Sequence, residues 1–241
     1  RNPHTSPSNV LVVKNKQSDF ITKYFYLSKN IVCTNAIDFE INRILSGQDA
    51  DSDTIIIFNN PLLLEKANQC YRQYRVCVNG ISVSPNPYTV CEKDMAQIDN
   101  ILAESQFHIG IVVNLGQQFM SEYWHHINRH SKNKEKLNAL MEKVDVCTVL
   151  SEISIDSAKR LYDIDIGKQI KILNNTDLLI KEKPLFFEQV SKNENIRLAE
   201  YETSMDYLYH VMNNADRADT IATVDIVDLL VDVDYGKVKA R

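Results

Sequence analysis

A chain of 241 residues can form one large domain, or one of roughly 150 to 180 residues with an appendage. Its 44% hydrophobic and 24% charged residues are ordinary for a globular protein, and its net charge of −5 argues against nucleic acid as an obligatory partner, since phosphate binding needs a basic face. No stretch approaches the ~18 consecutive apolar residues of a membrane span, and no signal-peptide core is present.

Taken in order, short apolar runs alternate with helix-length amphipathic stretches. "VLVV" (10–13) is followed by "SDFITKYFYLSKN", and "IVC" (31–33) by "AIDFEINRILSG", a predicted helix closed by Gly47. "TIIIF" (54–58) leads into "PLLLEKANQCYRQY", with Pro61 suited to the first helical position. "RVCV" (75–78) runs into the turn-rich "NGISVSPNPYT", after which "VCEKDMAQIDNILAES" reads as a helix. "HIGIVV" (108–113) precedes two helical stretches, 117–130 and 133–143. "DVCTVL" (145–150), the helix "EISIDSAKRLYD" and "QIKIL" (169–173) complete the series.

Wholly apolar strands separated by helices predict a parallel sheet covered on both faces. The expected fold class is therefore α/β: a doubly wound, mainly parallel, Rossmann-like sheet over residues 1–181. Residues 182–241 read as a helical extension, or as the start of a truncated second domain. Within them lies one long predicted helix, "ENIRLAEYETSMDYLYHVMNNADRAD". The tail that follows carries Asp225, Asp228, Asp232 and Asp234 without the spacing of a calcium loop, and reads as a solvated acidic face. The chain opens on Arg1 rather than methionine, which leaves room for a processed or excised piece.

The five cysteines, Cys33, Cys70, Cys77, Cys91 and Cys147, are scattered and form no C-x-x-C pair. Several lie in apolar runs, so reduced thiols and a cytoplasmic location are expected. The glycine-rich dinucleotide loop, the P-loop and the G-x-S-x-G elbow are all missing, so no cofactor is expected.

Residues 144–179, "VDVCTVLSEISIDSAKRLYDIDIGKQIKILNNTDLL", give a buried run, a serine, an amphipathic helix and a second run into an Asn-rich turn. This order resembles the end of the N-terminal Rossmann-like half of retaining, nucleotide-sugar-dependent GT-B glycosyltransferases. The resemblance implies transfer of a sugar from a nucleotide-sugar donor to a hydroxyl acceptor. It places Ser151 and Glu152 at the interdomain cleft and Asn174, Asn175, Thr176 and Asp177 at the hinge. Asn114 stands where that family often has a histidine; it can hydrogen-bond a sugar hydroxyl but cannot act as a general base. No residue is therefore assigned as catalytic. The glycine-rich first loop is replaced by "KNKQSD", and the family's second domain has no counterpart in 182–241, so a partner chain or a missing C-terminal domain would have to supply it.

Other residues carry two readings each. "EYWHHINRH" (122–130) holds three of the six histidines and the single tryptophan. His126 and His130 share a helical face, but the zincin glutamate is absent and the flanking residues are basic, which disfavours a metal site. A basic rim that meets an acceptor, or a surface helix with Trp124 packed partly inward, accounts for the stretch as well. Ser151–Glu152 could cap a helix, as could Asn59 and Asn60. Tyr71, Arg72, Tyr74 and Arg75 could stack on bases or sugars, or could flank a buried strand. The rival to the transferase is a non-catalytic Rossmann-like interaction module or subunit of a larger assembly; nucleotide or nucleic-acid binding stands third.

Overall fold

The computed structural model describes residues 6–28, 31–49, 53–83, 88–157, 159–190 and 195–214. The acidic tail with Asp225, Asp228, Asp232 and Asp234 lies outside them. The elements are α1 (Asp19–Tyr24), α2 (Ile41–Ile44), α3 (Pro61–Gln73), α4 (Glu92–Asn128), α5 (Lys134–Asp156), α6 (Ile166–Asn174), β1 (Lys183–Pro184), α7 (Phe187–Val190), β2 (Leu198–Ala199) and α8 (Ser204–Asn214). The chain is predominantly helical, and the doubly wound sheet is absent among the described residues. The sheet among the described residues consists of β1 and β2, paired in parallel with Lys183 opposite Leu198 and Pro184 opposite Ala199. An isolated antiparallel bridge joins Val83 to Tyr162.

The expected α/β fold is thus overturned, and three predicted strands show why. "HIGIVV" lies inside α4, "DVCTVL" inside α5 and "QIKIL" inside α6. A short, continuous apolar run reports burial on several sides, and a packed helix produces it as readily as a parallel strand. In α4, Val112, Leu115, Phe119 and Tyr123 are buried at helical spacing. In α5 the matching set is Leu140, Val144, Cys147 and Leu150, and α6 adds Ile170 and Leu173 to the same core. The β-branched residues of "DVCTVL" favour strands locally, but burial against two helices outweighs a propensity of a few tenths of a kcal/mol per residue. The runs at 10–13, 31–33, 54–58 and 75–78 form no strand.

Local signals set the helix ends. Pro61 occupies the first turn of α3, and the Asn60 side chain accepts from Leu62 N at 3.0 Å and Leu63 N at 3.3 Å, so its capping reading is the one realised. Asn133 accepts from Lys136 N at 3.0 Å at the start of α5, and Asp165 from Lys168 N at 2.8 Å at the start of α6. The α4–α5 connection closes with a 6→1 bond from Ser131 N to His126 O and a bond from His130 N to Ile127 O, both 2.9 Å. This pair defines a Schellman cap, with His130 at φ 53° in the left-handed position usually given to glycine.

The buried hydroxyls of α5 turn back onto their own helix. Thr148 Oγ1 donates to Val144 O at 2.9 Å, Ser151 Oγ to Thr148 O at 2.7 Å and Ser154 Oγ to Leu150 O at 2.7 Å. Helices α4 and α5 pack against each other as a hairpin. Before it, Asn9 ties distant segments together: its Nδ2 donates to Ile44 O at 2.7 Å and to Cys77 O at 2.8 Å, and its Oδ1 accepts from Cys77 N at 3.2 Å. Among the described residues no helix is long and apolar enough to cross a membrane.

Candidate functional site

The transferase cleft expected between two Rossmann-like domains has no sheet to stand on, so the GT-B resemblance, the nucleotide-sugar donor, the hydroxyl acceptor and the Rossmann-like module all fall with it. The residues proposed for that cleft fall on three helices and their ends. Asn114 is exposed on α4, and its backbone carbonyl accepts from Gln118 Nε2 at 3.3 Å. Ser151 and Glu152 are interior residues of α5, buried to 0% and 2% exposure, rather than the start of a helix. Asn174 ends α6 and Asp177 follows it, both exposed. His126 sits in the last turn of α4 and His130 in the capping turn beyond it.

A different constellation gathers where the end of α3 meets the hairpin. Asn138, Glu142 and Asp145 follow one another at four- and three-residue steps along one face of α5. Opposite them stand Tyr74 and Arg75, just beyond α3, and Tyr123 of α4; together they line a cleft of about 330 Å³. The Tyr74 and Tyr123 rings meet edge to face, 6.2 Å apart at 75°, with their hydroxyls 3.3 Å apart. Trp124 stacks edge-on against the other side of Tyr123 at 5.3 Å.

The protonation states follow from burial. Desolvation pushes the Cys77 thiol up to about 12, and the neighbouring Asp145 carboxyl pushes the same way. The thiol therefore stays protonated and lies 3.3 Å from Asp145 Oδ1, to which it donates. Such a sulfur is a poor nucleophile. Asp145 is itself raised by burial, while the Cys77 hydrogen bond and the Arg75 charge pull it back. The Tyr74 phenol is raised by burial and by its bond to Tyr123, which keeps it neutral. Arg75 reaches across the mouth to Glu142 at 3.8 Å, a loose pair between two exposed side chains. Two carboxylates and two aromatic rings thus line the space, with the exposed Arg75 guanidinium at its edge.

Of the expected aromatic–basic cluster, Tyr74 and Arg75 enter this cleft, while Tyr71 and Arg72 are exposed outside its lining. Asp145 escaped the sequence reading because it fell inside a predicted strand. Its signal is the spacing with Glu142 and Asn138, which is meaningful only once 134–156 is helical.

"EYWHHINRH" resolves into a clasp. His125 Nδ1 donates to Tyr201 O at 2.7 Å, and Asn128 Nδ2 to Glu202 O at 2.7 Å. The Arg129 guanidinium engages the Glu202 carboxylate through Nε at 2.9 Å and an NH2 nitrogen at 2.8 Å. Glu122 Oε1 accepts from Ile180 N at 3.3 Å, and Tyr201, 2% exposed, donates its hydroxyl to Glu182 O at 2.9 Å. The end of α4 therefore grips two later segments of the same chain. Trp124 is 37% exposed. Among the described residues no group of three or more His, Cys, Asp or Glu side chains is placed to hold a metal ion. Comparison with protein families, with curated proteins and with solved structures finds no match for this chain.

Proposed function

We propose that the chain is a helical binding module that receives a cationic group, an alkylammonium or a guanidinium, in the cleft between Tyr74, Tyr123, Glu142 and Asp145. The observation that carries this reading is the pairing of two aromatic walls with two carboxylates around a space of about 330 Å³. That volume lies at the lower end of ordinary ligand pockets. Ring faces and carboxylates attract the same partner, a cation with an aliphatic stem, and partial desolvation strengthens both attractions.

The protonated Cys77 thiol gives the cleft no activated nucleophile, so the reading is binding rather than covalent chemistry. Arg75 acts as an internal stand-in for the ligand, resting near Glu142 and yielding when a better-placed cation arrives. The cation could belong to a free polyamine or to a lysine or arginine side chain of a peptide. Calorimetric titration with spermidine and with a short arginine-containing peptide, at low and high salt, separates the two sources. Heat from either that vanishes in Asp145→Asn supports the reading; no heat from either at millimolar concentration ends it.

A further inference from the structure

Beside Glu122 of the clasp stands a side chain that takes no part in its hydrogen bonds. The His126 side chain is 23% exposed, but its Nε2 is buried, has no hydrogen-bond partner and lies 3.8 Å from Glu122 Oε2. Glu122 is already engaged, holding Ile180 N and bordering the buried Tyr201 phenol. The remaining charged groups that act on this imidazole come from α4, its C-terminal end and α5. His125 lies on its own helix, Arg129 just past the end of that helix and Lys136 on α5, and Arg129 is paired with Glu202 of the docked segment.

We propose that His126 is an acid-sensitive release for the segment 198–206. Protonation places a new positive charge beside Lys136, Arg129 and His125 and draws the Glu122 carboxylate toward the imidazolium. Ile180 then loses its acceptor, the seat of Tyr201 is disturbed, and the strand and turn leading into α8 come free of α4. The hairpin core is formed by other residues and stays closed.

The direction follows from the surroundings. Burial first, and the Lys136 charge second, hold the His126 imidazole below its ordinary value of 6.5. Undocking that uncovers Nε2 removes the burial while the Lys136 charge stays on α5, so the undocked chain binds this proton more readily. Docking is complete above that ordinary value and weakens as pH falls below it toward the depressed one.

Hydrogen exchange read by mass spectrometry on the whole chain tests the device at about pH 7.5 and about pH 5.5, after correction for intrinsic exchange. Protection of 198–206 should fall by about fivefold or more on acidification, while 112–123 of α4 remains protected. His126→Gln should abolish the fall. Lys136→Gln, which leaves the histidine in place, should reduce it. Unchanged protection in the parent chain, an undiminished fall in His126→Gln, or simultaneous loss in 112–123 would each overturn the proposal.

Discussion

The hydroxyls of Tyr74 and Tyr123 lie 3.3 Å apart although their residues are 49 positions distant, and that contact joins the end of α3 to the last turns of α4. It sets the two aromatic walls of the cleft and leaves the carboxylates of α5 facing them. The proposed binding depends on this placement more than on any single charge.

If Arg75 competes with the ligand, removing it should tighten binding. Arg75→Gln leaves Glu142 and Asp145 in place and deletes the internal cation 3.8 Å from Glu142. Spermidine affinity should rise by about two- to fivefold, the order expected from a weak exposed pair. Titration of the two proteins side by side reads the sign, and weaker binding would show that Arg75 helps the ligand rather than replacing it.

Cation binding should also depend on pH through Asp145. Burial raises this carboxyl above its ordinary 3.8, so it gains its charge at a higher pH than a surface aspartate. Affinity should therefore climb with pH over a window displaced upward from that value, and Asp145→Asn should flatten the profile.

Gly110 tests the helical reading of "HIGIVV" directly. It lies within α4, and a Cβ added there meets nothing within 4 Å. Gly110→Ala should stabilise the chain by about 0.5–1 kcal/mol, since alanine orders more easily in a helix. Thermal melting would show a higher midpoint, whereas a lower one would argue against α4 as a continuous helix.

His130 is predicted to act as a cap that glycine would serve better. At φ 53° its side chain bears the cost of the left-handed conformation, and it makes the Schellman bonds through its backbone alone. His130→Gly should raise stability by about 1 kcal/mol in denaturant melts. A loss would mean that the ring itself contributes contacts.

How much of this was legible in the sequence depends on which residue is considered. Pro61, Asn60 and Asp165 mark helix starts through chemistry that acts within one turn, and such signals do not need the rest of the fold. "DVCTVL" and "HIGIVV" misled because their apolar continuity has two physical causes. A strand between two helical layers and a helix packed along a broad face both place apolar residues at most of six positions. Length decides between them, and here α4 runs 37 residues without a break, joining a predicted helix, a predicted strand and a second predicted helix. The cleft was half visible: Tyr74 and Arg75 stood out, but Tyr123 and Asp145 meet them only through a hairpin absent from the expected topology. Likewise the partner of "EYWHHINRH" is Tyr201–Glu202, more than 70 residues away, a pairing that no local pattern encodes.

The central claim rests on Asp145, whose carboxylate lies at the base of the cation site beside the Cys77 thiol. Isothermal titration of spermidine into the parent chain and into Asp145→Asn, at low ionic strength, tests it most directly. Asparagine keeps an acceptor for the thiol and removes only the charge, so the account predicts binding weakened by about tenfold or more, ~1.4 kcal/mol, with thermal stability preserved. Equal affinity in the two proteins would contradict it.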